Sequence, residues 1–393
     1  MNGVTFIKEN GGLGRTLAGE SHISALIVYG EKAVAKQVIT SMEQLTPLNI
    51  TIFTNPVLYY HVSEFFRINE GAKLYFESVA VSDGKYTEVK VMQTFAQGDI
   101  RQFAICDFKN SIANINYSVG KLDAIAKEFW ELNIPASFLI SFLVVPSDIA
   151  MLPVLRSFEA ENVSVVLGQD ANGLGGFLAK NGNVSISNIG AVLGAVSKAK
   201  VHESIAWVER QNLVTKYTYD IMRVDAPRSR ELDVPAFCDG SKLEDYTPFQ
   251  IRLLNSLGYL FGVKHTGITG TYLNDSFTAT SFESDYSYIE NNRTISKALR
   301  DINKVLVPKI SSPMYIDPDT GLLDVASVSA LEALCDEVLD QMKRNGNISG
   351  FKVSINPNQQ VLSTSKLEVV LKIVPVGTLR EIEVKIGLTL KKD

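Results

Sequence analysis

The stretch Leu122–Pro146, LDAIAKEFWELNIPASFLISFLVVP, decides the fold class. Leu122, Ile125, Ala126 and Phe129 recur at helical spacing and place four apolar side chains on one face. Asn133-Ile134-Pro135 stops the helix, because proline lacks the amide that would continue the ladder and biases the residue before it toward extended geometry. The apolar run from Ile134 follows at once, interrupted by Ser137 and Ser141. It is far below the roughly 20 residues that cross a bilayer and reads as a buried strand. A helix feeding directly into such a strand is one step of an α/β layer.

The same step repeats on both sides. Ser24–Tyr29 (SALIVY) and Ile50–Phe53 read as strands with a helix-like segment, Lys32–Met42, between them; Tyr59–Ile68 reads as a helix leading to a strand at Lys73–Val79. Downstream, Ile149–Glu159 reads as a helix before the strand Val163–Leu167, and Asn188 stands at the N-cap of a helix lined by Ile189, Val192, Leu193 and Val196. Alternating helices and buried strands over residues 20–210 predict a layered α/β body.

Periodicity lapses at Asp225-Ala226-Pro227 and Asp233-Val234-Pro235, which puts a boundary around 215–245. Thr247-Pro248 then opens a helix over Phe249–Leu257, and Tyr259–Val263 and Ile268–Leu273 read as strands. Two longer helices follow. The first has an apolar stripe of Ile295, Ala298, Leu299, Ile302 and Leu306, with Arg293, Lys297, Arg300 and Lys304 making the other side basic. The second starts with capping-box spacing at Ser329–Glu332 and turns Glu332, Asp336, Glu337 and Asp340 outward. These two charged faces are candidate contacts to a partner or to a second copy, or else plain solvated faces.

The end of the chain has a different character. Leu367–Val374 (LEVVLKIV) is a strand presenting Leu367, Val369, Leu371 and Ile373 on one side, and Pro375–Thr378 makes a connection. Ile382, Val384, Ile386, Leu388 and Leu390 then alternate with Glu381, Glu383, Lys385, Gly387 and Thr389 without a break. A period-two strand with one apolar face must pair with a sheet, its own or a neighbour's. The first 15 or so residues, ending in Gly11-Gly12-Leu13-Gly14, read as an extended arm at the opposite end.

Composition narrows the function classes. The 393 residues are 46% hydrophobic and 21% charged with net charge −5, an ordinary globular balance that argues against coating nucleic acid. Lys8 and Glu9 break what would be the apolar region of a signal peptide, so the product is expected to stay in the cytoplasm, with no membrane insertion. The three cysteines, Cys106, Cys238 and Cys335, are far apart and suggest neither a disulfide framework nor a zinc site. His22, His61, His202 and His265 form no metal-ligand spacing. Gly173-Leu174-Gly175-Gly176 follows a strand as a phosphate loop would but lacks the Gly-Lys-Ser/Thr ending. Asp317–Asp324 has some carboxylate spacing of a calcium loop without the closing glutamate. No Gly-x-Ser-x-Gly elbow is present. No cofactor, metal or catalytic residue is expected.

Four pieces taken in order resemble the contractile tail sheath family of phage tails and injection systems. They are Gly3–Ile7 opening through a Gly-rich turn into Ala25–Gly30; Tyr59–Val79; Gly267–Tyr272 followed by Asp285–Pro308; and Gly350–Leu390. Where many sheaths carry tryptophan before the core helix, Tyr286 and Tyr288 stand here. The resemblance implies an α/β (α+β) fold: an N-terminal arm over 1–18, an outer α/β body over 19–220, a sheath core domain over 221–366 and a C-terminal strand arm over 367–393. It also implies a non-enzymatic subunit, stacked helically with copies of itself around an inner tail tube protein, meeting baseplate and terminal cap proteins, in a virion tail or injection particle assembled in the bacterial cytoplasm. Val4, Thr5, Phe6 and Ile7, together with the apolar positions of 367–390, would be the links donated to neighbours. The competing readings are an α/β enzyme using 168–176 as a ligand loop, and a non-contractile tube or shell protein.

Overall fold

A computed structural model describes residues 17–143, 149, 151–181, 186–214, 217–218 and 229–388. The chain forms two compact units, Met1–Pro313 and Met314–Asp393.

The first unit is built on a six-stranded sheet in the order β2-β3-β1-β4-β5-β6. Its strands are β1 (Ser24–Tyr29), β2 (Val34–Ile39), β3 (Leu74–Val79), β4 (Gln102–Ser111), β5 (Ser137–Leu143) and β6 (Val163–Val165). All neighbours run parallel except the edge strand β2, which is antiparallel to β3. Helix α1 (Pro56–Ile68) connects toward β3, α2 (Thr87–Phe95) crosses to β4, and α3 (Ile115–Glu131) leads to β5. Alternate residues of β1 feed two cores. Leu26 and Val28 join α1, whereas Ala25, Ile27 and Tyr29 join α2 and α3. That is why SALIVY shows no polar alternation: both faces are covered, each large apolar side chain contributing about 1.5–3 kcal/mol by burial.

Local signals fix several elements. The amides of Val57 and Leu58, at the start of α1, donate to the Glu31 carboxylate at 2.8 and 3.0 Å, which satisfies donors the helix leaves open. Helix α5 (Ile189–Lys198) lies on α1 so closely that a Cβ on Gly190 would stand 2.4 Å from the His61 carbonyl oxygen. Phe103, Phe129 and Phe138 pack ring to ring on the opposite face, with centroids 5.4–6.1 Å apart.

Smaller pieces complete the unit: β7 (Gly168–Asp170), α4 (Leu174–Asn181), β8 (Tyr217–Thr218) paired with β9 (Ser229–Arg230), β10 (Pro235–Phe237) paired with β7, α6 (Pro248–Leu257), β11 (Gly262–Val263) paired with β12 (Tyr272–Leu273), and α7 (Ile289–Leu306). Thr247 caps α6, its hydroxyl accepting from the Gln250 amide and the Gln250 side chain reaching back, and Gly258 ends it at φ +95°.

Four sequence expectations are corrected. Residues 34–39 are strand, not helix, because pairing with β3 overrides helix-like composition. Ile50–Phe53 is a turn rather than a strand, and among its described residues Ile149–Glu159 holds only 3₁₀ geometry, at Ile149 and Met151 and at Leu155–Ser157. The boundary expected at 215–245 moves to Pro313/Met314. Leu232, Leu260 and Phe277 share the α1 core, and Phe237, Leu254 and Tyr259 share the α3 core, so residues 232–277 belong to the body.

The second unit holds α8 (Val325–Arg344), β13 (Gly350–Ser354), the one-turn α9 (Val361–Thr364) and β14 (Val370–Val374). Helix α8 begins five residues earlier than the capping box suggested, because Asp324 rather than Ser329 is its cap and accepts from the Ser327 amide at 2.9 Å. Leu323, Val328 and Ile355 form its core, with Leu367 and Val369 packed against them. β13 and β14 form an antiparallel pair with Gly350 opposite Val374, and no third strand joins them among the described residues.

Candidate functional site: an exposed C-terminal ribbon

The candidate arm divides into two parts. Leu367, Val369, Leu371 and Ile373 are half-buried, and β14 is already paired within its own unit. Beyond Val374, residues 375–388 enter neither helix nor strand ladder. Ile382, Val384, Ile386 and Leu388 are 72, 69, 91 and 106% exposed. These four large apolar side chains stand at period two in water, the pattern of a strand with one apolar face, and the sheet of their unit has only two strands among the described residues. Val4, Thr5, Phe6, Ile7 and Leu390 lie outside the described residues.

The basic face of α7 is rearranged relative to the sequence reading. Arg293 is buried and donates to the carbonyls of Ala199, Lys200 and Ser21, and Arg300 is buried and donates to Pro135. Burial lowers both guanidinium groups to about 10. Lys297 pairs with Asp301 at 2.7 Å, and Lys304 reaches Glu20 at 3.4 Å. Burial would raise the Glu20 carboxyl, but the hydrogen bond and charge of Arg101, with Arg300 and Lys304, hold it down at about 2. The helix therefore presents its polar side inward, Ser296 included, while Ile295 and Leu299 are only half-covered. Carbonyls that end other segments supply the acceptors, which periodicity cannot reveal. On α8, Glu332 accepts from the Ile355 amide at 2.8 Å, Asp340 pairs with Arg344, and Asp336 is exposed.

The first two amides of the glycine-rich loop are occupied. The Gly173 amide donates to Asp170 Oδ2 at 2.6 Å, and the Leu174 amide donates to Glu231. Cβ atoms at Gly173 and Gly175 would come within 2.2–2.4 Å of Glu231, Asp170, Gln169 and Tyr60 side-chain oxygens. Internal carboxylates thus sit where a phosphate would need to be, and these glycines serve close packing. Burial, reinforced for Glu231 by the charges of Glu64 and Asp170, pushes Asp170 up to about 6 and Glu231 up to about 8. His61, lowered to about 3 by burial, lies with Nε2 3.1 Å from Cys106 Sγ inside the core. Asp317 accepts from the Asp319 and Thr320 amides at 2.8 and 3.0 Å, the hydrogen bonding of a turn. Among the described residues no three His, Cys, Asp or Glu side chains are grouped to hold a metal, and no helix is long and apolar enough to cross a membrane.

One polar feature was not singled out from sequence. At the carboxyl ends of β1 and β4 a crevice of about 540 Å³ is lined by Tyr29, Ser82, Asp83, Asp107, Asn110 and Tyr117, among others. The available signal was an aspartate closing the apolar run Phe103-Ala104-Ile105-Cys106.

Two family models match consecutive stretches of the chain. Residues 148–277 match the N-terminal domain of DUF2586, and residues 285–393 match the DUF2586 C-terminal domain. No curated protein matches. Among solved structures, 99% of the chain is similar to the whole (100%) of a chain in the cryo-EM structure of the anti-feeding prophage (AFP) baseplate, 6-fold symmetrised, with a TM-score of 0.63 and 14% sequence identity. At that identity the likeness is one of fold.

Proposed function

We propose that this chain is a non-enzymatic structural subunit of a contractile injection apparatus and, within it, a subunit of the sheath. Copies stack helically around an inner tube protein and meet baseplate and cap proteins. Contraction releases a metastable extended lattice into a shorter one. The observation that carries this reading is the exposed apolar ribbon Ile382–Leu388, next to a sheet short of strands. The full-length likeness in fold to a chain of the AFP baseplate structure supports the apparatus. The occupied Gly173 and Leu174 amides count against a nucleotide enzyme.

Strand donation supplies the adhesion. Each main-chain hydrogen bond adds about 1 kcal/mol net and each buried Å² of apolar surface about 25 cal/mol, so a five-residue ribbon holds a neighbour by several kcal/mol. Such a contact is head-to-tail, and its repetition gives an open helix rather than a closed dimer. The N-terminal residues Val4–Ile7 are proposed as the second link, and the exposed Asp336 and Lys304 as rim contacts to tube or neighbour.

A second reading, a baseplate subunit, is favoured by the assembly in which the similar chain was solved, a baseplate. Negative-stain electron microscopy of the purified chain and of a variant lacking Glu381–Asp393 separates the readings. Hollow cogged tubes from the full chain, and only soluble monomer from the truncated one, are expected. Closed rings would favour the baseplate, and discrete small particles from both would refute assembly by the arm.

A further inference from the structure

Helix α7 meets the amino ends of the sheet strands through its polar side. Arg293, Ser296 and Arg300 recur at helical spacing and share one face of the helix. They enclose a cavity of about 10 Å³ together with Ser21, shortly before β1, Arg101, the residue before β4, and Ser137, the first residue of β5. That space admits one particle of the size of a water molecule.

The lining is rich in donors. Arg293 Nε, Arg300 Nη2 and the hydroxyls of Ser137 and Ser296 have no hydrogen-bond partner among the described residues. None of these four atoms is sealed away from open space, as Arg101 Nε and Arg300 Nε are. A guanidinium has no lone pair to offer, so an occupant of the cavity must accept. Charge argues in the same direction. Glu20 lies 2.8 Å from Arg101 and 3.6 Å from Arg300 and is shared with Lys304, and the exposed Asp99 lies 3.8 Å from Arg101. Arg293 forms no ion pair among the described residues. Of the carboxylates near the arginines, Glu203 is engaged by Arg210, Asp301 by Lys297, and Glu290 by the Ser276 hydroxyl. Burial, and next the neighbouring Arg101 charge, hold Arg300 down at about 10. Buried positive charge in excess of its partners is costly unless an anion joins it.

We propose that this cavity binds a single chloride-sized monatomic anion, held by Arg293, Arg300 and the hydroxyls of Ser137 and Ser296. Size selects among anions. Phosphate and sulfate are tetrahedral oxyanions, too large for a space that holds one water-sized particle. A water molecule fits but brings no charge to set against the guanidinium groups. The bound anion ties α7 to the amino edge of the sheet, where β1, β4 and β5 begin.

This site is independent of the assembly reading. Thermal unfolding of the full chain, with sodium chloride exchanged for sodium gluconate at constant ionic strength, tests it together with the chlorine NMR line width. The melting temperature is expected to rise saturably with chloride and equally with bromide, and not with gluconate. Protein should broaden the chloride line, and bromide, but not sulfate, should relieve the broadening. Arg300→Gln is expected to lose at least about tenfold in chloride affinity, since it removes a charged donor. Should that variant fail to fold, Ser296→Ala, which keeps a good helix former in α7, must weaken chloride binding roughly threefold to tenfold. Equal melting temperatures in chloride and gluconate, the result for a cavity holding only water, would overturn the assignment. So would sulfate competing as well as bromide, or an unchanged chloride affinity in Ser296→Ala.

Discussion

The body and the C-terminal unit solve the burial problem in opposite ways. In the body, a mostly parallel sheet is covered on both faces, and even its charged groups find partners: Arg293 takes three carbonyls, and Arg67 pairs with Glu64 at 2.5 Å. In the C-terminal unit three core residues support a two-stranded sheet, and Ile382, Val384, Ile386 and Leu388 then stand in water. A hairpin of two strands is marginal in water, whereas a third strand and a second covered face make it stable. The contrast teaches that the body buries its own apolar surface, while the described C-terminal residues leave an apolar ribbon exposed.

The contrast is sharpened by substitutions in each part. Phe103→Ala, in the middle of the stacked aromatic core, should cost about 3–5 kcal/mol in denaturant unfolding. Glu231→Gln tests the buried carboxylates. With the folded-state value of Glu231 raised to about 8, its contribution to stability is fully present below about pH 4.5 and is lost as pH rises through 8. The glutamine variant should therefore match the parent near pH 4 and exceed it at pH 9 by up to about 5 kcal/mol, measured by thermal unfolding across pH. Ile386→Ser should change the unfolding free energy of the isolated chain by less than about 0.5 kcal/mol, since Ile386 is exposed, yet weaken assembly in sedimentation. A large stability loss from Ile386→Ser would erase the distinction between the two regions.

Much of the body could be read from sequence because local and tertiary demands agree there. The strand at Ser24–Tyr29 carries only residues that two covered faces accept, and Thr247-Pro248 at the start of α6 is a complete local instruction. Where the two demands conflict, the local signal misleads. Val34–Ile39 has helix-like composition but lies at the sheet edge beside β3, and the inward face of α7 is polar because distant carbonyls await its arginines. The ribbon at Ile382–Leu388 was visible as a period-two pattern, since an unpaired strand must carry its pattern in its own residues. The crevice at Asp107 was not visible, because it depends on the order of strands in space.

Hydrogen–deuterium exchange of the backbone amides of residues 379–388, followed by mass spectrometry before and after assembly, tests the donated ribbon most directly. Exchange near the rate of an unfolded chain is expected in the monomer, and strong protection in the polymer. Equal exchange in both states, in a preparation that has visibly polymerised, would contradict strand donation by this segment.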